Sequence, residues 1–262
     1  MTTHSTLDPA SMTPYGRFAA AYTAGAERLF SEEMAVFALE AANAGPGGPC
    51  TSVVDVACGI GAACEHFANA GLRTIGVDAS QEMLDQARKS AKNKEQKIDY
   101  VKQDMRQLSV ATTVDLVTCM YDSLNFMLVT ADLRQAFDCA RRALRDGGHY
   151  VFDMYTPRGL AEVWASVDQV HTVHPEHFVA TRTAWNPELS TNTKTLWGFD
   201  LVEGQWQHWT EQHTIRAYPV DEIEDALRAT GFQLLRAVDW TRPQPQPVSE
   251  STTRIAFVAM AN

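Results

Sequence analysis

Apolar and polar positions alternate along this chain in two different rhythms, and the changeover divides it. From residue 15 to 42 the apolar positions Tyr15, Phe18, Tyr22, Leu29, Met34, Phe37 and Leu39 recur at helical spacing, and the run NAGPGGP at 43–49 breaks it. Short apolar runs and amphipathic stretches then take turns. SVVDVA (52–57), RTIGVD (73–78), IDYVKQD (98–104), VDLVTCM (114–120) and HYVFDMY (149–155) read as five strands. Between them lie helices over 62–70, with Gly71 at its C′ position, over QEMLDQARKSAKN with Ser80 as N-cap, and from Thr130 to about Leu144. Strands alternating with helices predict a doubly wound, mostly parallel sheet.

The rhythm changes at Thr156-Pro157. HFVATRTAW, TKTLWGFDLV and HWTEQHTIRAY are polar–aromatic runs separated by Asn186-Pro187 and Glu203-Gly204, which predicts an antiparallel β insertion over 160–216. The helix VDEIEDALRAT, the strand FQLLRAVDW, the proline-rich loop TRPQPQPVSE and the strand RIAFVAM close the chain as an antiparallel edge, making a seven-stranded sheet. Residues 1–14 read as a flexible tail and 15–262 as one domain.

Composition narrows the function. At 262 residues and 45% hydrophobic content the chain can bury one sizeable α/β core. A formal net charge of -10 with no Lys/Arg cluster disfavours nucleic acid or an anionic membrane as partner. No apolar run reaches the ~20 residues of a membrane helix. The start lacks the basic and apolar regions of a secretory signal, and the five cysteines form no paired framework, so a cytoplasmic setting with reduced thiols is expected.

The chemistry concentrates in VVDVACGIGAACEHFANAGLRTIGVDAS at 53–80. Gly59 and Gly61 let backbone approach a ligand, and the helix beyond Gly61 offers free N–H groups. Asp78 ends the adjacent strand, where a carboxylate can accept both hydroxyls of a ribose. A dinucleotide fingerprint would place a third glycine where Cys64 stands, and a phosphate loop would need a lysine that is missing. Asp55 would repel a pyrophosphate but suits an ammonium group. A ribose with an amino-acid tail describes S-adenosylmethionine.

D-V-A-C-G-I-G, G-V-D-A-S, K-Q-D-M at 102–105 and the D-G-G before the fifth strand resemble the class I S-adenosylmethionine-dependent methyltransferase family, with its Rossmann-like fold. The resemblance covers residues 15–155 well and the closing elements moderately. It implies that Ala57, Gly59 and Gly61 line the methionine tail and that Met120 lies beneath it. It places Asp78 on the ribose, Ala79 and Met83 beside the adenosine, Asp104 on the adenine amino group and Met105 on the ring. The layout further resembles the small-molecule N-methyltransferase branch, which includes glycine N-methyltransferase and amino-sugar N,N-dimethyltransferases. There an N-terminal helix bearing tyrosines covers the cofactor and a β insertion covers the acceptor. That implies roles for Tyr15 and Tyr22, seven residues apart on one helix face.

Some members of that branch carry a histidine base after the fourth strand. Asn125 and Phe126 stand here instead, leaving Asp122, a tyrosine or water to take a proton. The expected reaction is methyl transfer to a small-molecule amine. Transfer to oxygen or carbon, and a non-catalytic cofactor-binding module, remain open alternatives. Trp164, Trp185, Trp197, Trp206 and Trp209 point to an apolar roof or a homo-oligomer interface. His208 and His213 should lie on opposite faces of the insertion. No metal site is expected: the three-residue spacing of His171, His174 and His177 would suit a metal only on a helix, whereas they fall in a strand-and-loop stretch with Pro175 and have no evident carboxylate partner.

Overall fold

The computed structural model describes residues 14–23, 28–45, 48–165, 167–241 and 246–262. Most of the expected tail, residues 1–13, lies outside them. The N-terminal part carries the short α1 (Ala19–Thr23) and the 17-residue α2 (Arg28–Ala44). The expected continuous helix from residue 15 is therefore shorter. Tyr15 sits in a turn with φ 64, outside any helix.

The alternating segments fold as β1 (Ser52–Val56), α3 (Ala62–Asn69), β2 (Arg73–Asp78), α4 (Gln81–Asn93), β3 (Asp99–Lys102), β4 (Val114–Cys119), α5 (Thr130–Ala143) and β5 (Leu144–Tyr155). After α6 (Pro157–Glu162) come β6 (Asp168–His174), β7 (His177–Asn186), β8 (Thr191–Val202) and β9 (Gln205–Arg216). The chain closes with α7 (Val220–Ala229), β10 (Phe232–Asp239), β11 (Gln246–Pro247) and β12 (Arg254–Ala261).

The main sheet runs β11-β10-β12-β5-β4-β1-β2-β3, parallel from β3 to β5 and antiparallel beyond. All seven expected strands are present. Gln246–Pro247 adds a two-residue eighth at the edge, where a proline without an N–H costs no ladder bond. The Asp146-Gly147-Gly148 turn lies within β5, as an irregularity that sets Leu144 and His149 against Val114 and Leu116.

Side-chain alternation shows why helices cover both faces. Val53, Leu116, Val151 and Ala256 pack against Met34, Phe37 and Phe67 of α2 and α3. Their strand neighbours Val54, Val117, Phe152 and Phe257 pack against Leu133, Phe137 and Leu227 of α5 and α7. All five residues of β1 are buried, as the centre of a parallel sheet requires. α3 ends in a Schellman motif: Leu72 N donates to Phe67 O and Gly71 N to Ala68 O, with Gly71 at φ 87. Ser80 caps α4 by accepting from Met83 N at 3.1 Å.

Strand order reverses between β1 and β4, so a crevice opens at the carboxyl ends of β1, β2 and β4. The insertion folds as a second sheet, β6-β7-β8-β9, one strand more than the three polar–aromatic runs predict. The extra strand is the histidine-bearing β6.

Candidate active site

At that crevice lies a cavity of about 410 Å³, within the range of small-ligand sites. Its floor is the glycine loop. Cys58 N donates to Val77 O at 3.0 Å, tying the loop to β2. A Cβ on Gly59, at φ 53, would meet no protein atom within 4 Å, so open space lies beside that backbone. Gly61 serves differently. At φ 81 its missing Cβ would stand 2.3 Å from the Tyr100 hydroxyl oxygen, so glycine makes the turn into α3 and admits Tyr100 behind it. It is not among the residues lining the cavity.

Two carboxylates face the same space. Asp78 accepts from Gly59 N and Ser80 N, each at 2.8 Å, which fixes its orientation at the end of β2. Burial raises its pKa against those hydrogen bonds. Asp55 is fully buried and accepts from Thr118 Oγ1 at 2.7 Å, while the Cys64 thiol donates to it at 3.4 Å. Burial pushes Asp55 up to about 7. Cys64, which replaces a third glycine, is thus a partner of Asp55.

Ala57, Ala79, Met83, Asp104, Met105, Met120, Tyr15 and Tyr22 also line the cavity, so every expected cofactor residue except Gly61 is brought to it. Asp104 has a second employment. Its carboxylate accepts from Arg106 N, Nε and Nη2 at 2.8, 3.0 and 2.5 Å, and those Arg106 hydrogen bonds hold its pKa low. Tyr15 reaches Tyr22 without a shared helix, with ring centroids 5.6 Å apart at 84°.

Residues 14–18 cross the cavity as a strap fastened on both sides. Ser80 Oγ donates to Tyr15 O at 2.9 Å. Glu211 on β9, buried, accepts from Phe18 N at 3.1 Å and from Arg17 N. His213 accepts from Tyr15 N at 3.3 Å, and its ring centroid lies 4.6 Å from that of Tyr15. His213 is therefore inward and His208 exposed, as alternation predicts.

The loop after β4 makes a second wall. Tyr121 and Asp122 both adopt left-handed backbone, φ 63 and 53, a conformation costing roughly 1–3 kcal/mol per residue. Asp153 holds it by accepting from Tyr121 N at 2.6 Å and Asp122 N at 3.1 Å. Arg254 closes the network. Its Nε donates to Asp153 at 2.6 Å and its Nη2 to Asp122 at 2.8 Å, and its guanidinium lies 4.2 Å from the Phe30 ring centroid. Burial raises Asp122 to about 7 even though Arg254 works against it.

Asn125, expected beside the reacting groups, lines neither this cavity nor the smaller chamber next to it. Its amide donates to Tyr155 O at 3.3 Å and Arg216 O at 2.7 Å and accepts from Tyr155 N at 3.0 Å. It staples the loop to the insertion instead.

The smaller chamber, about 20 Å³, is bounded by Asp122 and, from the insertion, by Asn192, Lys194 and His213; Tyr15 and Phe126 line both spaces. Only part of the expected tryptophan roof faces inward. Trp209 is buried over Gly198, whereas Trp206 is 52% exposed. The β6–β7 hairpin brings His174 and His177 together with Glu176, their ligand atoms within 4.8 Å of one another, at an outer turn. His171 instead packs on Phe18, 5.2 Å between centroids. Sequence spacing missed Glu176 as the third group because the hairpin turn creates the cluster.

Known proteins agree with this geometry. A methyltransferase-domain family model matches residues 53–148. A putative methyltransferase, YqeM of Bacillus subtilis, is 30% identical over 201 residues, covering 76% of this chain and 80% of that protein. The dTDP-3-amino-3,4,6-trideoxy-alpha-D-glucopyranose N,N-dimethyltransferase of Streptomyces venezuelae is 26% identical over 187 residues, covering 70% and 76%. The solved structure of an S-adenosylmethionine-dependent methyltransferase from Clostridium acetobutylicum superposes with a TM-score of 0.77 at 23% identity, covering 94% of this chain and 96% of its own.

Fold and site define a Rossmann-like enzyme with a nucleoside cavity at the topological switch point. The chain belongs to the class I S-adenosylmethionine-dependent methyltransferases, and S-adenosylmethionine is its cofactor. Among the described residues no helix is long and apolar enough to cross a membrane.

Proposed function

We propose that the protein methylates the nitrogen of a small-molecule amine. The observation that carries this reading is Asp122: a buried carboxylate in a chamber that shares Tyr15 and Phe126 with the cofactor cavity. The dimethyltransferase named above, which acts on an amino sugar by its name, supports an amine.

S-adenosylmethionine supplies an electrophilic methyl group on a sulfonium. In this reading Asp78 receives the ribose hydroxyls and Asp55 the ammonium of the amino-acid tail. Ala57, Gly59 and Met120 border that tail, while Ala79, Met83 and Met105 enclose the adenosine and Asp104 flanks the adenine. Tyr22 and Tyr15 close the cavity against water. An amine must lose a proton to present its lone pair, because free alkyl amines are protonated below pH ~10. Asp122, with a pKa near 7, is suited to receive that proton by way of an oxygen in the small chamber that it lines. Residues 15–262 act as one domain, with 160–216 covering the acceptor.

The test is a donor-consumption screen of amines, amino sugars, amino acids and phenols, with product masses and methyl positions read by NMR. An N-methyl product is expected. An O- or C-methyl product would replace the amine assignment, and cofactor binding without turnover on any acceptor would point to a non-catalytic binding module.

A further inference from the structure

The small chamber beside the cofactor cavity contains an unpaid hydrogen bond. Asn192 is 1% exposed. Its amide nitrogen donates to Trp164 O, but its Oδ1 has no partner. A buried carbonyl left bare is costly, so such groups are almost always satisfied by something. Among the described residues nothing satisfies this one.

Five separate pieces of chain converge on it. Asn192 and Lys194 lie two apart on β8, hence on one face of the inserted sheet, and their register partners on β9 are Ile215 and His213. Asp122 and Phe126 enter from the loop after β4, Tyr15 from the strap, and Trp164 from beyond α6. The Lys194 ammonium lies 3.6 Å from the Trp164 ring centroid, and its charge is felt at Asp122. The other charges around Asp122 are Arg254 and Asp153 behind it, and the buried pair Glu211 and His213 stands further along β9.

The size of the space is informative. About 20 Å³ exceeds the ~10–15 Å³ that one water needs, and is far too small for a ring. It suits a single oxygen. The polar groups then choose which oxygen. Asn192 Oδ1 requires a donor, whereas the Lys194 ammonium can only donate. A carboxylate oxygen would leave Asn192 facing a negative charge. An ammonium would satisfy Asn192 but face Lys194. A methyl group would satisfy neither. A hydroxyl, one donor with two acceptor lone pairs, matches both. Asn192 and Lys194, two apart on one strand, present their side chains to this space from the same face of the sheet.

We propose that this chamber is a hydroxyl-reading subsite, so that the acceptor is a hydroxylated amine whose O–H donates to Asn192 Oδ1 and accepts from Lys194 Nζ. This rests on the amine reading above and sharpens it. Asn192 and Lys194 are specificity residues: they select the acceptor and leave the cofactor alone. A resident water fills the space in the free enzyme, and the acceptor hydroxyl displaces it.

The experiment uses the full chain with pairs of acceptors. Amino sugars, aminocyclohexanols and linear amino alcohols are each compared with the analogue lacking the hydroxyl next to the amine. Sites built to pair a substrate hydroxyl reject such analogues strongly. Wild type should prefer the hydroxylated member by at least ~100-fold in kcat/KM. Asn192→Leu should shrink that preference to under ~10-fold, chiefly by impairing the hydroxylated member, with cofactor affinity in calorimetry unchanged. Lys194→Met keeps the stem over Trp164 and should shrink the preference as well. Comparing the same pair across variants cancels differences in amine basicity. A wild-type enzyme indifferent to the hydroxyl, or an Asn192→Leu variant that keeps the wild-type preference, overturns the subsite while leaving amine methylation standing. A wild type that binds cofactor yet methylates no amine of either kind overturns the amine reading on which the subsite rests.

Discussion

Arg254 on the last strand donates to Asp122, 132 residues earlier, at 2.8 Å, and the pair is buried. The same guanidinium holds Asp153, which accepts the N–H groups of Tyr121 and Asp122. One cation thus compensates two buried acids and fixes the backbone between the cofactor cavity and its polar neighbour. Breaking such a pair from one side typically costs ~3–5 kcal/mol, because a buried charge is stranded. Arg254→Met should therefore lower the thermal midpoint, and lower it more at pH 8 than at pH 5.5. The sign follows from Asp122: its folded pKa is raised above the unfolded value, so its stability contribution is present at low pH and lost as pH rises through about 7. Removing Arg254 deepens that loss. Thermal unfolding at the two pH values measures it, and equal losses at both would show that the stranded acids do not dominate.

Asp55 links cofactor binding to protons. In the free protein burial raises it to about 7, so it is largely protonated at pH 6. An ammonium seated against it would favour the carboxylate. Cofactor affinity should then fall as pH drops from 8 to 6, with a proton released on binding at the lower pH. Calorimetry in buffers of different ionisation enthalpy reads the released proton directly. Asp55→Asn should abolish the release, and should raise the midpoint of the cofactor-free protein at pH 8 by removing a buried charge. Asp78→Ala should weaken the cofactor by ~100-fold or more, since a carboxylate pairing two hydroxyls contributes ~1.5–3 kcal/mol for each bond.

Glu211 fastens the strap that covers the cavity by accepting from two of its N–H groups. Glu211→Ala leaves both donors without a partner and should speed cofactor release by roughly 10-fold, the equivalent of ~1.4 kcal/mol. Glu211→Gln keeps the accepting oxygen and should behave nearly as wild type. Stopped-flow displacement of bound S-adenosylhomocysteine separates the two. Equal release rates in wild type and Glu211→Ala would mean that Ser80 and His213 alone hold the strap.

The doubly wound sheet, the glycine loop, the Ser80 cap and the Gly71 stop were legible in the sequence because each depends on residues within a few positions of one another. Hydrophobic alternation fixes which face of a strand is inward, and Asp55, Gly59 and Asp78 lie on one strand–loop–helix–strand unit. Tertiary structure decided the rest. Tyr15 and Tyr22 meet without a common helix, because Ser80 and Glu211 bend the strap over the cavity. Asn125 reads like a site residue and is a staple. Arg254 and Asn192 read like ordinary strand positions, yet one anchors the loop after β4 and the other leaves a bare oxygen in the chamber. Local patterns carry the cofactor site, whose parts are contiguous. The acceptor side is assembled from the strap, the β4 loop, the inserted sheet and the last strand, and no periodicity in a chain records which distant segments will touch.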